Sequence, residues 1–148
     1  MTHGAILLVE DNPSDIGLTK RAFTKKNIAN PLVVVQDGQE ALDYLFCEGA
    51  FSDRRIQDQP AVILLDINLP KIGGLAVLRR IREDDRTRLT PVIMLTTSKE
   101  EQDLVASYSN GANSYIRKPV DFAQFLEAVG QLGIYWLILN ETPYQALA

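Results

Sequence analysis

The chain has 148 residues, 46% of them apolar and 23% charged, with a net charge of −4 at pH 7. That length leads us to expect one domain, residues 1–148, with a core over about 5–130, an extension over about 131–148, and no room for a separate effector domain. Charges of both signs are mixed along the chain, which excludes a basic nucleic-acid face and a polybasic membrane segment, and no apolar run reaches the length of a membrane span.

Cys47 is the only cysteine, so no internal disulfide can form. The first residues lack a basic stretch followed by a long apolar one, and we expect a cytoplasmic protein.

Residues 5–9 are apolar throughout, which predicts a buried parallel strand, and they run into Glu10 and Asp11. Asn12 and Pro13 then start a helix, because asparagine caps and proline suits the first helical position. Asp15 complements the positive helix end, and Ile16, Ala22 and Phe23 face inward. Residues 32–35 predict a second strand, after which Asp37 and Gly38 lead into a helix with Ala41, Leu42, Leu45 and Phe46 as its apolar set. The polar loop 47–60 is longer than usual connections, and it is either functional or a tolerated surface insertion, of which we favour the insertion.

Residues 61–65 predict a third strand that delivers Asp66 at its end. Gly73 and Gly74 open a helix that buries Leu75, Val77, Leu78 and Ile81 and turns Arg79, Arg80 and Arg82 to solvent. Residues 91–95 form strand four and deliver Thr96. Ser98 and Glu101 make a capping box for the next helix, which ends at Asn110 and Gly111. Strand five, 114–117, carries Tyr115 and runs into Lys118 and Pro119. The last helix begins near Asp121, with Phe122, Phe125, Leu126, Val129 and Leu132 on one face, and is expected to continue through 135–139.

Five strands alternating with five helices define an α/β fold, a doubly wound five-stranded parallel sheet with helices on both faces. Right-handed crossovers with one reversal permit the flavodoxin-like order 2-1-3-4-5 and a ligand crevice at the strand carboxyl ends. In that order strands one and three are neighbours, about 4.8 Å apart. Glu10, Asp11 and Asp66 then share one rim, Thr96 lies beside Asp66, and Lys118 is long enough to reach back from strand five.

Three carboxylates at one rim repel, and a hard divalent cation such as Mg²⁺ (or Mn²⁺) relieves them. An aspartate activated there can attack phosphorus and become an aspartyl phosphate. The cation, the Lys118 ammonium and the Thr96 hydroxyl can each take one oxygen of the transferred group. No nucleotide-binding loop is present, so the donor is another phosphorylated molecule.

On these residues the chain resembles, over 5–130, the receiver domain of two-component response regulators. The resemblance implies that Asp66 is the phosphoacceptor and that Glu10, Asp11, Asp66 and the backbone carbonyl of Asn68 hold the metal. It implies that Thr96 and Tyr115 are switch residues, that Lys118 binds the phosphate, and that the bond before Pro119 is cis. The partner implied is a histidine kinase, and the activity is phosphoacceptance with slow self-dephosphorylation, not ordinary enzymology. The long 47–60 loop, residues 66–70 and the ending 135–143 further resemble the single-domain response regulators of cyanobacterial phytochrome histidine kinases. That narrower likeness implies a phytochrome as the kinase and no DNA-binding output.

Two other functions compete. A phosphatase with an aspartyl-phosphate intermediate needs a second acid where Asn68 stands, and a cap domain. A receiver-like binding module that takes no phosphate would not need Glu10, Asp11, Asp66, Thr96 and Lys118 together. The apolar stretch 135–139 either folds back onto the core or, lying beyond a domain complete near residue 130, forms an interface. We expect a homodimer through the last helix and the neighbouring surface of the helix after Ser98 and strand five.

Overall fold

The computed structural model describes residues 4–97, 99–100 and 111–139. Strands Ile6–Val9 (β1), Leu32–Val35 (β2), Val62–Asp66 (β3), Val92–Thr96 (β4) and Ser114–Arg117 (β5) form one parallel sheet in the order β2-β1-β3-β4-β5. The helices described in full are Pro13–Lys25 (α1), Gly38–Phe46 (α2), Gly74–Glu83 (α3), Phe122–Gln131 (α4) and the short Tyr135–Ile138 (α5), with a 3-10 turn at Gly49–Phe51. The capping box at Ser98 and Glu101 lies outside the described residues.

Alternation along fully buried strands builds two cores from one set of apolar runs. Leu7, Val9, Ile63, Leu65 and Met94 pack under α2 and α3. Ile6, Leu8, Leu64, Ile93 and Leu95 pack under α1 and α4, where Phe23 and Phe125 stack with ring centroids 4.7 Å apart. Each such side chain contributes about 1.5–3 kcal/mol on burial. Strand β2 lies at the sheet edge, and its Leu32, Val33 and Val34 are only half-buried.

The helix ends follow their residues. Asn12 accepts from the backbone N–H of Ser14 and Asp15 and caps α1, Asp37 caps α2 through Glu40 N–H, and Asp121 caps α4 through Gln124 N–H. Gly74 stands where a Cβ would collide with the carbonyl oxygen of Asp66, so only glycine lets α3 start so close to the end of β3.

Two expectations need correction. The last helix does not continue through 135–139: α4 ends at Gln131, Gly133 takes φ +75°, and α5 is a separate turn. That break swings the chain back, so Ile138 is fully buried against the α1–α4 core and Leu139 bridges antiparallel to Ile28.

Arg82 is not a solvated residue. Its guanidinium donates to the carbonyls of Gly111 (2.6 Å), Arg88 (2.8 Å) and Thr90 (2.7 Å) and to Asn113 Oδ1 (2.8 Å), because strands β4 and β5 begin there with carbonyls in need of donors.

The 47–60 loop stays at the surface and is anchored to α2. Arg54 stacks 3.7 Å over the Tyr44 ring and donates to the Tyr44 carbonyl, and Gln59 donates to the carbonyls of Leu45 (2.9 Å) and Ile56 (2.8 Å).

Candidate functional site

Strand register decides which side chains meet at the carboxyl end of the sheet. Val9 pairs with Leu65, which puts Glu10 level with Asp66, and Asp66 pairs with Leu95, one residue before Thr96. Thr96 pairs with Arg117, and the Lys118 N–H donates to the Thr96 carbonyl at 2.7 Å. Lys118 therefore leaves β5 at the height of the acids and reaches back across β4. The Lys118–Pro119 peptide bond is cis.

The Lys118 ammonium lies 3.0 Å from Asp66 Oδ2, 3.0 Å from Glu10 Oε2 and 2.9 Å from Asp15 Oδ2. Glu10 and Asp66 are each 1% exposed. Carboxylate oxygens of Glu10, Asp11 and Asp66 lie within 4.8 Å of one another, with Asp11 the exposed member. The Asn68 N–H donates to Asp66 Oδ1 at 3.0 Å, and the Asn12 N–H donates to Glu10 Oε1 at 3.1 Å.

Burial pushes the Glu10 carboxyl up to about 7 and the neighbouring Asp66 adds to the rise, while the bond from Lys118 offsets only part of it. Burial also pulls on Lys118, but its bonds to Asp15, Glu10 and Asp66 outweigh that and raise its pKa above the ordinary lysine value.

An acidic, oxygen-only cluster suits a hard divalent cation that keeps several waters. Glu10 Oε2 is buried, faces Lys118 as an ion pair and accepts no hydrogen bond among the described residues, so it retains a lone pair for such a cation. The Thr96 hydroxyl is likewise buried without a hydrogen-bond partner among the described residues.

Glu10, Asp11, Asp66, Asn68, Thr96 and Lys118 thus gather at one rim. Tyr115 does not join them: it is 46% exposed and lines an open groove with Gln124, Glu127 and Gln131. The residue that sequence reasoning missed is Asp15. We read it as a partner of the helix end, although its spacing from Glu10 across a capped helix start put it one turn from the same rim.

A parallel sheet carrying this acid cluster and a reaching lysine defines a class of protein, and the chain belongs to it: the response regulator receiver domain family, whose model matches residues 6–130. Its likeness extends to particular members. It is 40% identical over 139 residues to the probable methanogenesis regulatory protein FilR2 of Methanothrix harundinacea, covering 93% of this chain and 86% of FilR2.

It is also 34% identical over 132 residues to the response regulator Rcp1 of Synechocystis sp., covering 89% of this chain and 88% of Rcp1. The Mn²⁺-bound form of Rcp1 superposes with a TM-score of 0.72 at 33% identity, over 95% of this chain and 99% of that one. The bacteriophytochrome response regulator AtBRR superposes with a TM-score of 0.87 at 50% identity, over 95% of this chain and 99% of that one. The chain is a receiver-type response regulator related to the phytochrome response regulators. No helix among the described residues is long and apolar enough to cross a membrane.

Proposed function

We propose that this chain is a single receiver domain that accepts a phosphoryl group on Asp66 from a histidine kinase, with Mg²⁺ or Mn²⁺ held by Glu10, Asp11, Asp66 and the Asn68 carbonyl. The observation that carries the reading is the convergence of Asp66, Glu10 and Lys118 within about a hydrogen bond of one another, with the Thr96 hydroxyl, unpartnered among the described residues, on the next strand.

Asp66 attacks the phosphorus of the donor with one carboxylate oxygen, and the phosphohistidine nitrogen leaves with the bonding pair. When bound, the cation neutralises charge on the transferred oxygens. Lys118 holds another of these oxygens through its ammonium, and the Thr96 hydroxyl donates to a third. Satisfying that hydroxyl draws β4 toward Asp66 and opens space for Tyr115 to turn inward, which reshapes the surface of β5 for a partner. Water then cleaves the acyl phosphate slowly.

The relation to Rcp1 and AtBRR supports a phytochrome as the kinase, and the net charge of −4 with no basic face in the sequence supports a signalling role without nucleic-acid contact. The exposed Leu137 on α5 and the exposed Tyr115 on β5 offer apolar surface that supports a homodimer. The test is phosphotransfer from a radiolabelled phytochrome kinase to the wild type and to Asp66→Asn. Label on the wild type alone is the expected result. Equal label on both would place the acceptor elsewhere, and label from unrelated kinases at the same rate would remove the phytochrome assignment.

A further inference from the structure

Lys118 has a carboxylate partner beyond the residues assigned so far. Asp15 Oδ2 approaches Nζ to 2.9 Å, at least as closely as Glu10 or Asp66 does. Yet Asp15 does not belong to the oxygen cluster, which comprises Glu10, Asp11 and Asp66. The Asn12 side chain accepts from the N–H groups of Ser14 and Asp15 at 2.9 and 3.2 Å, which fixes this first turn of α1 against the rim. The Asp15 side chain is 21% exposed and Lys118 only 11%.

An ammonium and a divalent cation cannot both sit against Glu10 and Asp66 without strong repulsion. When the cation enters, Lys118 must loosen its hold on those two acids, and at its depth it still needs a counter-charge. We propose that Asp15 is a positioning residue for Lys118: its carboxylate retains the ammonium while the cation occupies Glu10, Asp11 and Asp66, and so keeps Nζ within reach of Asp66. The inference rests on the cation-site reading given above.

Calorimetric Mg²⁺ titration of the full chain tests it in four forms: wild type, Asp15→Asn, Lys118→Ala and the double variant. Asp15→Asn is expected to weaken Mg²⁺ about tenfold when Lys118 is present and no more than about twofold when it is alanine. Asp15→Glu, which keeps the charge, is expected to bind within about threefold of wild type. Equal losses in both lysine backgrounds would make Asp15 one more distant charge and overturn the proposal. So would no loss in either background. Failure of the wild type itself to bind Mg²⁺ would instead sink the cation site, and the proposal with it. Circular dichroism and urea midpoints verify that each variant is folded. If Asp15→Asn is not, Asp15→Ser replaces it, since serine is at home in a first helical turn.

Discussion

Glu10 carries an uncomfortable charge. It is buried beside Asp66, and its carboxyl is held at about 7 against an ordinary 4.5, chiefly by burial. The folded protein therefore binds this proton more tightly than the unfolded chain does. Its contribution to stability is complete below pH 4.5 and is lost as the pH rises to about 7. Lys118 is raised above its ordinary value, so its contribution fades only in strong alkali and does not enter this window. Urea denaturation of the metal-free protein is expected to show stability falling across this range, by at most about 1.4 kcal/mol per pH unit. Glu10→Gln flattens that slope. An unchanged slope in the variant would assign the effect to another group.

Among elements, the junction of β3 and α3 matters most, because it carries Asp66. Gly73 and Gly74 look alike in the sequence and differ in three dimensions. A Cβ at Gly73 meets nothing within 4 Å, whereas one at Gly74 collides with the Asp66 carbonyl and Ile67 Cα. Gly74→Ala is expected to cost about 2 kcal/mol and to slow phosphorylation of Asp66, because the strand end must shift. Gly73→Ala is expected to change neither. Equal chemical-denaturation midpoints for the two variants would refute the close approach.

The strands and caps were legible in the sequence, since unbroken apolar runs, Asn12–Pro13 and Asp37–Gly38 act locally. Arg82 was not, because its role comes from carbonyls of the 88–90 and 111 segments that only the sheet brings to it. Asp15 was missed for the same reason: its partner, Lys118, lies more than a hundred residues away, just past the end of β5.

At the scale of the whole molecule the open question was how the chain closes. Composition showed surplus apolar residues after 130, and we expected a continuous helix bearing an interface. The structure divides them, Ile138 facing inward and Leu137 outward. Ile138→Ala is expected to cost about 2–4 kcal/mol in denaturant unfolding, and a change below 1 kcal/mol would mean that the fold-back adds little. Truncation after Gly133 would remove this core residue together with the surface, so Leu137→Asp is the cleaner probe of assembly. Sedimentation is expected to show a dimer for wild type and a monomer for the variant, and a dimer in both would remove α5 from the interface.

The order of the sheet, its two cores and the rim of acids followed from the sequence because each strand end announced itself with a polar residue. The outward placement of Tyr115 did not, since a half-exposed edge strand accepts an aromatic residue facing either way.

The proposed phosphoryl transfer passes through one side chain, Asp66. Intact-mass spectrometry after incubation with Mg²⁺ and acetyl phosphate, wild type beside Asp66→Asn, addresses it directly. A single phosphoryl adduct is expected on the wild type, labile to hydroxylamine and absent from the variant. A folded wild type with no adduct, or an adduct that survives in Asp66→Asn, would contradict the proposed transfer.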